Sequence, residues 1–136
     1  TVARIPEKYI ESPGQRMAIY RRIAHITSRA DAEDILDEVI DRYGDPPDEV
    51  LNLLDVSLIR YLAGKSGIER ISQNGTEVIL FQKELDLDTW QKLSEGMKGR
   101  IRIIRGSAPQ IVMRIGREQD ALSWLKLLFE KYRPGD

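Results

Sequence analysis

The chain has 136 residues, with 21 lysines and arginines against 22 aspartates and glutamates, one histidine and no cysteine. The lack of cysteine excludes disulfides, zinc–thiolate sites and cysteine nucleophiles, and no apolar run approaches the roughly 20 residues that a membrane-spanning helix needs. We therefore expect a cytoplasmic protein of one domain, residues 1–136, with a core held by packing and hydrogen bonds. Because the chain begins at Thr1 rather than methionine, we expect it to be part of a longer protein.

The first half of the sequence predicts a short strand and three helices. The strand is expected at residues 2–5, and a turn at residues 12–14 precedes a helix at residues 15–26 with arginines on its outer side. The second helix, residues 31–43, has Ile35, Leu36, Val39, Ile40 and Tyr43 on its core face and a row of carboxylates opposite. Its end is well marked, because Gly44 suits a left-handed terminus and two prolines follow. A third helix with a wide apolar arc is predicted at residues 47–62.

The second half predicts two β-hairpins and two helices. Residues 68–73 and 76–82 are joined by Asn74-Gly75, the strongest short hairpin signal, and a helix at residues 87–97 follows with Asp88 as its N-cap. A second hairpin spans residues 100–105 and 110–115, a helix spans residues 118–132, and residues 133–136 are expected to fray. The fold class is α+β: a helical N-terminal half of three helices, packed with two β-hairpins and a C-terminal helix in a single core.

The sequence contains no pattern that indicates catalysis by this chain alone. Gly64-Lys65-Ser66 resembles the end of a phosphate-binding loop, but Ile59 stands where the first glycine is required. His25 has no serine-base pattern around it, and we assign it a surface or capping role. Carboxylates spread along a regular helix do not converge on one ion. We predict that the domain is not an enzyme by itself and binds neither cofactor nor metal.

A basic patch is the first of two candidate binding surfaces. Residues 100–117 carry five arginines and no acid. Strand alternation places Arg100 and Arg102 on one face of the second hairpin and Ile101 and Ile103 on the other. In the same way, Arg114 lies on the face opposite the apolar Ile111, Met113 and Ile115. This patch, Arg100, Arg102 and Arg114, is the basis of an alternative function, an α+β module that binds nucleic acid through its phosphates.

An acidic row on the second helix is the second candidate, formed by Asp31, Asp34, Glu38 and Asp41. Asp41 lies in the last helical turn, where the helix dipole disfavours an anion by a few tenths of a kcal/mol to about 1 kcal/mol. Arg42 is favourable there, and Glu38 four residues earlier can pair with it. An acid in an unfavourable position indicates a cation supplied from outside the helix.

Three segments carry a family resemblance. They read I-P-E-K-Y-I at residues 5–10, Q-R-M-A-I-Y-R-R-I-A at residues 15–24 and E-V-I-D-R-Y-G-D-P-P at residues 38–47. In this order and spacing the chain resembles the C-terminal (TRCF) domain of bacterial transcription-repair coupling factors, the Mfd family. The resemblance is strong in the first half, whereas the hairpins and last helix fit by arrangement.

The resemblance implies a function for the whole parent protein and a role for this domain. The parent would be an ATP-driven DNA translocase that displaces stalled RNA polymerase and recruits UvrA through a UvrB-like N-terminal module, with ATP and magnesium bound in its motor domains. Its C-terminal domain would pack on the UvrB-like module and mask the UvrA-binding surface. In the family the glutamate and aspartate of the third segment contact arginines of that module. The matching residues here are Glu38 and Asp41, and we predict that Asp34 assists them in this interdomain contact.

Overall fold

Hydrogen-bonding side chains mark the starts of the first two helices, α1 (Pro13–Ala24) and α2 (Arg29–Tyr43). The structure is a computed structural model that describes residues 2–132. Ser12 accepts a hydrogen bond from the Gln15 N–H, so the residues predicted as a turn are the cap and first turn of α1. Ser28 caps α2 in the same way, so the helix begins at Arg29, two residues earlier than predicted. Gly44 ends it with a φ of 85°. The third helix, α3, runs from Asp48 to Lys65.

The predicted strand at residues 2–5 is wrong, because no strand forms there. The Arg4 N–H instead donates to the carbonyl of Glu49, a residue of α3. This contact is a single hydrogen bond to a helix carbonyl, whereas a strand needs a series of backbone donors and acceptors on its neighbour. Residues 2–5 have a sequence that favours an extended backbone, but they do not form a strand because no neighbouring strand pairs with them.

The chain divides into two compact units, Thr1–Tyr61 and Leu62–Asp136. In the first unit the core includes Ile19 and Ile23 of α1 and Ile35 and Val39 of α2. Ile40 was predicted on the core face of α2 but is 38% exposed. Successive residues of a helix are about 100° apart, and the buried face is centred on Ile35 and Val39. Ile40 therefore lies at the edge of that face.

The second unit is built on a four-stranded antiparallel sheet in the order β1-β2-β4-β3. The strands are β1 (Ile68–Asn74), β2 (Glu77–Gln82), β3 (Ile101–Ile104) and β4 (Gln110–Arg114). Both predicted hairpins are present. They are joined at the centre of the sheet by pairing of β2 with β4, which was not predicted. Together with the helices, this confirms the α+β class. The prediction of one domain with a single core stays a prediction.

One helix follows each hairpin: α4 (Leu87–Gly96) follows the first and α5 (Ala121–Lys131) follows the second. The N-cap of α4 is Asp86 and not the predicted Asp88, because the Asp86 carboxylate accepts from the Thr89 N–H at 3.4 Å. The predicted C-terminal helix is split, since Glu118–Asp120 form a 3-10 turn before α5. The predicted fraying at residues 133–136 lies outside the described residues. Among residues 2–132, no helix is long and apolar enough to cross a membrane.

Candidate interdomain contact surface

Helix α2 presents Asp34, Glu38 and Asp41 on one stripe, because residues four and three positions apart lie on the same side of a helix. We call these three residues the acidic stripe. Asp34 and Asp41 are exposed and Glu38 is half-buried. The Ser28 cap and the Gly44 stop fix both ends of the helix, so the stripe is held on a regular element.

Asp31, the fourth acid of the predicted row, has a structural role at the start of α2. Its carboxylate accepts hydrogen bonds from the Thr27 N–H at 2.9 Å and the Thr27 hydroxyl at 3.0 Å. The Asp31 N–H in turn donates to the Ser28 hydroxyl at 3.0 Å. This is a reciprocal capping arrangement, and the hydrogen bonds from Thr27 hold the pKa of Asp31 below its usual value.

Glu38 is already paired inside the unit. Arg22 of α1 lies 2.6 Å from Glu38 Oε2, and Arg42 of α2 lies 3.3 Å from the same oxygen. The hydrogen bond from Arg22 is the largest cause of a lowered pKa at Glu38, although partial burial opposes it. The Arg42 pair was predicted from its spacing, whereas the Arg22 pair joins two helices and no local pattern indicates it.

Asp34 and Asp41 differ from Glu38 in this respect. Within the described residues, neither carboxylate takes part in a hydrogen bond or an ion pair. Asp41 also keeps its unfavourable position in the last turn of α2. These two are therefore the acids of the stripe with open capacity for an external cation.

A shallow cleft beside the stripe is lined by Arg22, His25, Asp31, Asp34 and Ile35, with a volume of about 270 Å³. His25 follows the end of α1, and its Nδ1 lies 2.7 Å from the Arg21 carbonyl. Since a carbonyl only accepts, Nδ1 is the donor in this contact. Over residues 2–132, no three His, Asp or Glu side chains are arranged to hold a metal ion.

The three arginines of the predicted basic patch make different contacts. Arg100 donates to the Arg114 carbonyl at 2.6 Å, and its guanidinium lies 3.9 Å from the ring centroid of Trp124 in α5. Arg102 crosses β4 to an ion pair with Glu77 of β2 at 3.5 Å. Of these three arginines, Arg114 alone is exposed and has no described side-chain partner. One of the three arginines is therefore turned toward α5 and another is paired with an acid.

The apolar side of this hairpin is as predicted. Ile101 of β3 and Ile111 and Met113 of β4 are buried, and Arg102 and Arg114 are exposed. Arg100 departs from the alternation because it precedes β3 and is held by the Arg114 carbonyl. The patch as a nucleic-acid contact stays a prediction.

Comparison with known families decides what kind of domain carries this stripe. Residues 1–92 match the family model of the TRCF domain. The chain belongs to the TRCF domain family. The three segments that carried the resemblance all lie inside the matched residues, so the family predicted from them is confirmed.

Relatives of this TRCF domain are transcription-repair-coupling factors from several bacteria. The protein of Rickettsia typhi is 38% identical over 84 residues, which are 61% of this chain and 8% of that protein. The Escherichia coli K12 protein is 36% identical over 70 residues, 52% of this chain and 6% of that protein. The Staphylococcus aureus USA300 protein is 30% identical over 122 residues, 89% of this chain and 10% of that protein. The chain thus spans a tenth or less of these relatives.

The same fold occurs in a crystal structure of the C-terminal domain of a transcription-repair coupling factor. The match has a TM-score of 0.82 at 23% identity and covers 97% of this chain and 87% of the other. The likeness extends over both compact units, including the hairpins and last helix that carried no sequence signature. It shows that the second half has the fold of the family.

Proposed function

We propose that this TRCF domain is a non-catalytic regulatory domain of a transcription-repair coupling factor. In this proposal it docks on the UvrB-like module of the same protein and masks the module's UvrA-binding surface. The parent is an ATP-dependent DNA translocase that meets RNA polymerase and DNA, and its motor domains bind the ATP and magnesium. The names of the relatives and the short span of this chain within them support a role inside a larger protein.

The acidic stripe is the observation on which the proposal rests. Asp34 and Asp41 are exposed carboxylates without a described partner, and Glu38 and Asp41 are the residues that match the contact segment of the family. Arginines on the partner module complement such a stripe. An interface of exposed ion pairs also suits a contact that must open, because each pair contributes only about 0.2–1 kcal/mol. Engagement elsewhere in the parent can then shift the population from docked to undocked.

The first test removes two charges of the stripe in the full-length protein with Glu38→Gln and Asp41→Asn together. Loss of two exposed ion pairs is expected to raise UvrA affinity and the polymerase-independent ATPase rate by about 2- to 30-fold. UvrA binding is measured by titration and ATPase by steady-state hydrolysis without polymerase.

The matched control is the pair Glu11→Gln and Glu33→Gln, which removes two exposed acids of the same unit. Glu33 lies about 80–140° around α2 from the three residues of the stripe, and Glu11 precedes α1. The control is expected to behave as the unmodified protein. If the stripe variant matches the control in both assays, the docking proposal is wrong.

A further inference from the structure

We propose that Arg22 of α1 competes with the docking partner for Glu38, so that Arg22 weakens docking and Asp34 and Asp41 lead the contact. This inference rests on the proposed function and adds an internal brake to it. It also specifies the charge pattern that the partner must present.

The geometry at Glu38 carries the first step. Arg22 and Arg42 both contact Oε2 of Glu38, at 2.6 Å and 3.3 Å. Two guanidinium groups around one carboxylate leave this point of the stripe with a local charge of +1. A third cation approaching Glu38 is repelled by both arginines, or it must displace one of them. Displacing Arg22 exchanges one exposed ion pair for another of similar strength, so little affinity is gained.

The two aspartates carry the second step. A cation that reaches Asp34 or Asp41 breaks no described ion pair, and at Asp41 it also relieves an anion at the negative end of the helix dipole. The two residues are seven positions apart on α2, which is about 10 Å along the helix axis. The partner that fits is therefore a surface with two basic side chains about 10 Å apart, and planar guanidinium groups suit the carboxylates best.

The cleft beside the stripe explains why Arg22 is the competitor that matters. Arg22 lines the cleft together with Asp31, Asp34 and His25, so the residue that pairs with Glu38 also borders the same cleft as Asp34. Arg42 lies in the last turn of α2, where its positive charge interacts favourably with the helix dipole. Its removal would therefore change the stability of α2 as well as docking. Arg22 belongs to α1, so its replacement leaves the sequence of α2 and the charges in the last turn of α2 unchanged.

The test compares Arg22→Gln with Arg21→Gln in the full-length protein. Arg21 is the neighbouring residue of α1 and its exposed side chain has no described contact, so both variants lose the same charge from the same helix. Arg22→Gln is expected to strengthen docking and lower UvrA affinity and polymerase-independent ATPase by about 1.4- to fivefold, the range for one exposed ion pair. Arg21→Gln is expected to change neither.

A double-mutant cycle with Glu38→Gln shows whether Arg22 acts through Glu38. Arg22→Gln is expected to lose its effect in the Glu38→Gln background. The inference is overturned if Arg22→Gln equals Arg21→Gln, or if its effect persists without the Glu38 carboxylate. If Arg22→Gln impairs folding, Arg22→Met keeps the aliphatic stem and serves in the same cycle.

The two proposals fail in different ways. Removing Glu38 and Asp41 tests docking itself and is expected to raise UvrA affinity, whereas removing Arg22 is expected to lower it. If the first variant opens the domain and the second has no effect, the competition is disproved and docking stands. If neither variant has any effect, docking is disproved.

Discussion

Gln82 shows at the residue scale how a polar side chain organises the core of the second unit. It lies at the end of β2 with 4% of its surface exposed. Its Nε2 donates to the Ser66 carbonyl at 2.9 Å and to the Tyr132 hydroxyl at 3.2 Å. Its Oε1 accepts from the Asp86 N–H at 2.9 Å and from Trp90 Nε1 at 2.8 Å. Every donor and acceptor of the amide is satisfied, so burial carries no penalty for an unpaired group.

The same network affects two neighbouring ionisable groups. Tyr132 donates to Asp86 Oδ2 at 2.8 Å and stacks on Trp90 with ring centroids 4.5 Å apart. Burial, with a contribution from Asp86, raises the pKa of Tyr132 to about 12. Burial also acts to raise the pKa of Asp86, but hydrogen bonds from Tyr132 and Thr89 outweigh it and lower that pKa.

Replacement of Gln82 is predicted to be costly. Gln82→Leu leaves the Trp90 Nε1–H and the Asp86 N–H without their acceptor, and each unsatisfied buried group costs about 1–3 kcal/mol. We expect the free energy of unfolding to fall by about 2–4 kcal/mol, measured by urea denaturation of the chain. Gln73→Leu is the control, because Gln73 is exposed and donates one bond, to the Glu118 carbonyl. Equal stability of the two variants would contradict the role of Gln82.

At the element scale, the caps at the two ends of α2 stabilise the helix more than the packing of its apolar face does. Only Ile35 and Val39 are buried along its 15 residues, so tertiary packing contributes through few side chains. The capping arrangement of Ser28, Asp31 and Thr27 at one end and the glycine stop at the other compensate. The position of the acidic stripe therefore depends on the caps.

Ser28→Ala is predicted to lower the free energy of unfolding by about 1 kcal/mol, the usual cost of a lost N-cap. The reason is that the Asp31 N–H loses its acceptor at 3.0 Å. Ser107→Ala, at an exposed position of the β3–β4 connection, is expected to be neutral. Urea denaturation measures both, and a Ser28→Ala variant as stable as Ser107→Ala would show that the cap contributes nothing.

At the scale of the whole chain, charges of opposite sign are segregated while the net charge is only −1. Residues 31–55 contain ten acids and one base, and residues 100–117 contain five arginines and no acid. The acidic stripe of α2 includes two carboxylates without a described partner, whereas two arginines of the predicted patch contact Trp124 and Glu77. This distribution supports the proposed basic protein partner over a polyanion.

We predict that the isolated chain binds duplex DNA weakly and with little salt dependence. A phosphate-binding patch must lose affinity steeply with salt, with a slope set by the number of phosphates neutralised. Titration at about 50 and 200 mM salt measures that slope. A steep slope that is abolished by Arg102→Ala with Arg114→Ala would instead establish the nucleic-acid function. Lys83→Ala with Lys92→Ala, at exposed positions outside the hairpin, controls for the loss of two positive charges.

The sequence by itself determined the helices of the first half, both hairpins and the TRCF family. These features depend on local signals: the helical spacing of apolar residues, the Asn74-Gly75 turn and short motifs in order. The predicted strand at residues 2–5 failed because a strand needs a pairing partner that local sequence does not specify. The Asp88 cap failed because two aspartates stood two positions apart, and only the backbone geometry selects Asp86.

Tertiary structure alone decided which charges of the candidate surfaces are free. Arg22 and Glu38 are 16 positions apart in the sequence and meet at 2.6 Å only because α1 and α2 bring them together. Likewise, Arg102 reaches Glu77 only because β4 is inserted between β2 and β3. An ion pair depends on distance in space, and residue order fixes that distance only within one helix or hairpin. The sequence therefore identified the acids of α2, and the fold distinguished the paired Glu38 from the open Asp34 and Asp41.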